Sequence, residues 1–178
     1  FVDEIQDEIK VMVLLKEHPN IVSYEDHCII EHKDEIGWDI LIKMELLTPL
    51  VEWMLNHSID ANTVLKLGKE ISSALCFAAE HNLVHRDVKP GNIFVDSLGR
   101  FKLDKTTGGL SKKGTANYMA PEIYFGSSSS DYIQQIDVYS LGIVLYRLLN
   151  KNRLPFYPPY PQPITYADQE NALIQRMN

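Results

Sequence analysis

His85-Arg86-Asp87-Val88-Lys89-Pro90-Gly91-Asn92 is the stretch on which the reading of this chain turns. It puts a carboxylate, an amine and an amide into one short loop. On its N-terminal side lies the clearest helix of the sequence, residues 61–81. There Val64, Leu67, Ile71, Leu75 and Ala78 fall on one face, Asp60 is placed to cap the start, and His81-Asn82 ends the pattern. On its C-terminal side, residues 93–95 and 100–103 read as short strands around the turn Asp96-Ser97-Leu98-Gly99. Taken alone, such a loop could be a surface turn with incidental charges.

The rest of the chain extends this frame. Residues 3–17 repeat Ile5, Ile9, Met12 and Val13 at helical spacing, and His18-Pro19-Asn20 stops the helix. Residues 21–30 and 38–46 read as strands joined by the polar stretch 31–37. Residues 136–149 are apolar nearly all round, which predicts a helix buried on most sides. The proline-rich run 155–163 excludes helix and central strand. A last helix is expected from near Ala167 onward, and 127–130 reads as a serine loop. No internal repeat is visible. The order is helix, two strands, then mostly helix.

Composition narrows the function. The 178 residues fit one domain, with 45% hydrophobic and 23% charged residues. Lys plus Arg is 17 and Asp plus Glu is 24, a net charge of −7. That sign argues against nucleic acid as a partner, because phosphate backbones reward positive surfaces. It does not exclude a nucleotide, whose charge is met locally. Cys28 and Cys76 match no metal or redox spacing and read as free thiols. His27, Cys28 and His32 do not converge, since strand alternation sends His27 to the opposite face. No apolar run approaches the ~18 residues of a membrane span and no signal peptide is visible, so a cytoplasmic location is expected. Phe1 begins in mid-pattern, so the true N-terminus is expected elsewhere.

The segment 85–92 resembles the catalytic loop of Hanks-type protein kinases, H-R-D-L-x-x-x-N, with Val88 at the leucine position. His85, Arg86, Asp87, Lys89, Pro90 and Asn92 all match, and chance agreement is on the order of one in 10^8 per starting position. The resemblance implies transfer of the ATP γ-phosphate to protein hydroxyls. Asp87 would accept the hydroxyl proton, Asn92 would face a Mg2+ ion, and Lys89 would neutralise charge on the moving phosphoryl group. Lys two places after the Asp resembles the serine/threonine class. Eukaryotic and bacterial members fit equally well.

Other segments resemble the same family. Ala120-Pro121-Glu122 matches its A-P-E signature, with Thr115 upstream at a position that contacts the catalytic Asp and Lys. Asp137 opens a segment like the family's central buried helix, where this Asp holds the catalytic-loop backbone. Glu8, ahead of His18-Pro19-Asn20-Ile21-Val22, is implied as the Glu that pairs with the ATP-binding Lys. By position, Met44 resembles the gatekeeper, and the backbones of Glu45 and Leu47 the hinge that bonds adenine. Phe94 would lie under the adenine ring. Arg86 is implied to pair with a phosphate on the activation segment, for which Thr106, Thr107 and Ser111 are candidate acceptors. The expected architecture is α+β, the two-lobed kinase fold: 1–47 as the remainder of a β-rich N-lobe with its hinge, and 48–178 as a mainly helical C-lobe.

The sequence also departs from the family. No Gly-rich loop or V-A-I-K lysine precedes Glu8, and the Arg that pairs with Glu122 would lie beyond Asn178. Residues 101–107 read Phe-Lys-Leu-Asp-Lys-Thr-Thr, with no Asp-Phe-Gly. Three readings compete. Residues between Leu103 and Thr106 are omitted from the sequence, so that the Cα–Cα step there far exceeds ~3.8 Å. Or the chain truly lacks them and is a pseudokinase, an inactive binding module. Or Asp104 is the metal carboxylate of a distorted motif, although a shift of ~3.5 Å along a strand would misplace it. Finally, 154–163 has the polyproline character that attracts SH3- or WW-like partners, but its place between two helices favours an intradomain loop.

Overall fold

The computed structural model describes residues 2–32, 37–104, 116–126 and 135–178. Helix α1 spans Val2–Leu15. It buries Ile9, Met12 and Leu15 while Val13 faces solvent. Leu15 therefore takes the core position that the sequence pattern gave to Val13. Strands β1 (Tyr24–Glu31) and β2 (Trp38–Met44) form an antiparallel hairpin with Cys28 opposite Leu41. β1 starts later than expected because Asn20, Ile21 and Val22 belong to another sheet. The Val22 N–H donates to Leu103 O, the Leu103 N–H donates to Asn20 O, and Ile21 bridges Leu103 in parallel.

That second sheet has the order β3 (Thr48–Pro49), β4 (Ile93–Val95), β5 (Phe101–Leu103). Its register pairs Pro49 with Phe94 and Phe94 with Lys102, and on alternate positions Val95 with Phe101 and Ile93 with Leu103. Directly opposed residues share a face. Ile93, Val95, Phe101 and Leu103 thus make the face sunk in the core, all nearly inaccessible. Pro49, Phe94 and Lys102 share the other. Helix α2 (Leu50–Asn56), too short to register as a periodic pattern, follows β3 and buries Leu50.

Helix α3 (Ala61–Glu80) is the central support. Asp60 Oδ1 accepts from both the N–H and the hydroxyl of Thr63, each at 2.7 Å, which satisfies a helix-start donor. All five residues expected on its inner face are buried, with Ala74 beside them. The helix ends where Asn82 adopts φ +58° and donates its N–H to Ala79 O. Residues Pro121–Tyr124 form a single turn of helix, α4. Helix α5 (Gln135–Leu149) packs on α3, and the approach is close: a Cβ on Gly68 would lie 3.3 Å from Leu145. Its buried face carries Ile136, Asp137, Ser140, Leu141, Ile143, Val144 and Leu148, whereas Val138, Tyr146 and Leu149 are exposed. The expectation of burial on most sides is corrected to burial on one broad face.

Helix α6 (Tyr166–Met177) begins with Thr165 and Asp168 exchanging hydrogen bonds in a capping box. The proline-rich run before it is an intradomain loop, as expected. Arg153, buried beneath it, donates to Pro158 O and Gln162 O. Two small antiparallel sheets and a mostly helical remainder make an α+β architecture, the class expected. No helix among the described residues is long and apolar enough to cross a membrane.

Candidate active site

The loop 85–92 hangs between α3 and β4, and Asp137 shapes it. The Asp137 carboxylate, 6% exposed at the start of α5, accepts the backbone N–H of His85 through Oδ2 and that of Arg86 through Oδ1, both at 2.7 Å. The pair of bonds holds Arg86 at φ +66°, a left-handed conformation that an arginine adopts only under outside constraint.

His85 braces the loop from the other side. Its Nε2 meets the carbonyl oxygen of Asp104, which can only accept, so Nε2 carries the proton. Nδ1 is then the acceptor, and it takes the Asp87 N–H at 3.2 Å. One neutral imidazole therefore fixes the backbone of Asp87 against the strand end at Asp104. The Asp104 N–H returns a 2.9 Å bond to Asn92 O, so both ends of the loop are tied to the end of β5.

The three chemical groups converge. Asp87 Oδ2 lies 2.6 Å from Lys89 Nζ and accepts from Asn92 Nδ2 at 2.9 Å; Asn92 Nδ2 also donates to Asp87 O at 2.8 Å. Pro90–Asn92 is a turn of 3-10 helix, and it brings Asn92 back over Asp87. Asp87 and Lys89 side chains are about a quarter exposed, so the pair opens to solvent on one side only. Both amide hydrogens of Asn92 go to Asp87. Its Oδ1 accepts no hydrogen bond among the described residues, and it is the kind of hard oxygen that suits a magnesium ion. No cluster of three or more His, Cys, Asp or Glu able to hold a metal occurs among the described residues. Magnesium keeps waters and takes only one or two protein ligands beside substrate phosphates, so a single amide oxygen in this place fits it.

The hinge candidates sit at the end of β2. The Glu45 N–H donates to Ser23 O at 3.1 Å, so of its two backbone groups the carbonyl is the one left for a ligand. Leu46 is 98% exposed, whereas Leu47 and Phe94 are half-buried and Met44 lies at the margin of exposure. Sequence reasoning missed Lys102. Its amine, almost fully buried, reaches Glu45 Oε1 at 2.7 Å, and the same oxygen accepts the Ser23 N–H at 2.6 Å. A lysine inside the three-residue apolar strand Phe101–Leu103 was the available signal.

Ala120-Pro121-Glu122 opens α4, and the segment before it is anchored from below. Ser140 Oγ donates to Tyr118 O at 2.6 Å, Arg147 donates to the Tyr118 hydroxyl, and Arg176 donates to Asn117 Oδ1 at 3.0 Å. Burial holds the Arg176 guanidinium below its ordinary pKa. Glu122 is half-buried in the first turn of α4. Arg86 is exposed, as a phosphate partner must be. Thr106, Thr107, Ser111 and Thr115, the side chain of Glu8, and the path from Asp104 to Thr106 lie outside the described residues.

The family model described as "Protein kinase domain" matches residues 2–176. Three curated relatives are similar to this chain. R436 of Acanthamoeba polyphaga mimivirus, provisionally named a serine/threonine-protein kinase, is 32% identical over an alignment of 163 residues that takes in 78% of the chain. The serine/threonine-protein kinase PrkC of Bacillus subtilis is 32% identical over 151 residues, 79% of the chain. The serine/threonine-protein kinase fray2 of Dictyostelium discoideum is 29% identical over 170 residues, 88% of the chain. The alignments cover 55%, 22% and 16% of these relatives' own lengths.

Proposed function

This chain belongs to the protein kinase family, and from that premise we propose that it transfers the γ-phosphate of ATP to serine or threonine hydroxyls of proteins. The observation that carries the reading is that Asp87 Oδ2 meets both Lys89, at 2.6 Å, and Asn92, at 2.9 Å, on a loop that Asp137 and His85 hold. Phosphoryl transfer needs positioning and charge stabilisation more than covalent help. Asp87 accepts the proton of the attacking hydroxyl and aligns it. Lys89, now paired with Asp87, swings its ammonium toward the charge that grows on the transferring group. Asn92 Oδ1 would hold magnesium, which when bound would neutralise charge on the phosphates. Adenine stacks on Phe94 and bonds the backbone at Glu45 and Leu47, with Met44 at the back of the slot. Glu8 serves the ATP-binding lysine, Thr115 contacts Asp87 and Lys89 on the acceptor side, and Glu122 has a structural role as the partner of an arginine. Residues 1–47 act as N-lobe and hinge, residues 48–178 as C-lobe, and a cytoplasmic protein without nucleic-acid partners suits the composition. Arg86 receives a phosphate on Thr106, Thr107 or Ser111.

The second reading is a catalytically silent binding module, and residues 101–107, which carry no Asp-Phe-Gly, favour it. Incubation of the complete domain, including the Gly-rich loop and ATP-binding lysine without which residues 1–178 alone are expected to be inactive, with γ-labelled ATP, Mg2+ and a mixture of acceptor proteins separates the two. The proposal expects labelled serine and threonine, reduced about a hundredfold or more by Asp87→Asn. Equal label from both proteins refutes Asp87 as the base. Nucleotide binding without label from either establishes the silent module.

A further inference from the structure

A charged pair sits where a kinase core could have been apolar. Lys102 lies on β5 with a relative exposure of 5%, and its amine forms a 2.7 Å ion pair with Glu45. Removing a lysine from water is expensive, and a well-packed apolar pair of similar volume is often at least as stable. What the pair adds is geometry. Glu45 Oε1 accepts from Lys102 and from the Ser23 N–H, while the Glu45 N–H donates to Ser23 O. One buried amine thus fixes both the start of β1 and the segment 45–47, whose next residue, Leu46, stands almost wholly in solvent. Lys102 is also the direct cross-strand partner of Phe94 and shares its sheet face, opposite the core face of Ile93, Val95, Phe101 and Leu103.

We propose that Lys102 is a positioning residue for the nucleotide: through Glu45 it sets the hinge backbone at a fixed height above the Phe94 face, so that slot wall and floor move as one unit. This rests on the nucleotide reading above. Removing the amine leaves Glu45 part-buried without its cation, and the hinge carbonyl loses its fixed direction.

The test uses the chain with Lys102→Met, Lys102→Arg and Glu45→Gln, read in two independent ways. The first is amide hydrogen exchange. Lys102→Met is expected to speed exchange about tenfold at Ser23 and Glu45, whose N–H groups the knot holds, with α3 and α5 amides unchanged, and Lys102→Arg to restore protection. The second is titration with a fluorescent ADP analogue. Lys102→Met is expected to weaken binding about tenfold, and in the labelling assay to raise KM for ATP more than it lowers kcat. Uniform acceleration across all amides, or unchanged exchange at 23 and 45, overturns the positioning role, because a purely structural lysine would loosen the whole domain or nothing. If the wild-type chain binds no nucleotide, the proposed function fails, while the exchange pattern still decides whether Lys102 governs the hinge.

Discussion

Two regions of this molecule differ in how they are held. The loop 85–92 is braced from a distance. Asp137 reaches it from 51 and 52 residues away in sequence and His85 ties it to Asp104, while Val88 and Pro90 are buried beneath it. The hairpin β1–β2 is held by its own ladder, and most of its residues are exposed, including Leu41 at 58%. A two-stranded hairpin alone is marginal in water. Its firm attachments are the Ser23–Glu45–Lys102 knot and the bonds of residues 20–22 to β5. The proposed chemistry thus falls on the over-determined region, and the segment proposed to meet adenine hangs from a few bonds. The difference teaches that rigidity here comes from groups distant in sequence, not from local propensity.

The hardest blow to the braced region is Asp137→Ala. It strips one buried and one part-buried N–H group of their acceptor and releases Arg86 from φ +66°. An unsatisfied buried donor costs about 1–3 kcal/mol, so destabilisation of about 2–4 kcal/mol is expected by urea unfolding, out of a typical ~5–15. Loss of phosphotransfer should exceed what unfolding explains. An effect under ~0.5 kcal/mol would mean that the loop keeps its shape by itself.

A smaller effect tests the joint between the regions. His18 Nδ1 accepts the Asn20 N–H at 3.1 Å, Nε2 meets Ser73 Oγ at 3.1 Å, and the ring stacks on Phe77. Burial lowers its pKa below 6.5; Glu80 opposes this and Lys102 adds to it. A lowered folded pKa means that the stabilisation is present above about pH 6.5 and is lost as pH falls through the folded value. Half-exposure screens the effect, so under about 1 kcal/mol should disappear between pH 7.5 and 5. Denaturation midpoints should fall over that range, and His18→Gln should flatten the slope. An identical slope in the variant would assign the pH dependence to other groups.

The smallest effect belongs to the hairpin. Leu41→Ser should change stability by no more than ~0.5 kcal/mol, because the side chain is already largely in water. A loss of 2 kcal/mol or more by thermal unfolding would show that Leu41 is covered in solution, and would erase the contrast between the two regions.

Much of this was legible beforehand. Residues 61–81 announced α3 because five inner positions repeat at helical spacing, and the loop 85–92 was legible because its roles depend on residue types at fixed short spacing. The start of β1 was not, because 21–22 read as strand whichever sheet they join. Val13 and Leu15 could not be ranked, since both suit a helix flank and only the neighbours of α1 decide which is covered. α2 and α4 have too few turns to show a period.

The sequence alone determined the kinase family, the three groups of the catalytic loop and the helix that supports them, because spacing along a chain fixes what neighbours in a turn or helix can do. Only tertiary structure decided which N–H groups the Asp137 carboxylate, expected on this loop from the family resemblance, would accept, that His85 would use its Nε2–H on Asp104, and that Lys102 would be buried against Glu45. Each of these joins residues 19 to 57 positions apart. Such contacts form only when packing brings together groups whose separation along the chain carries no local signal.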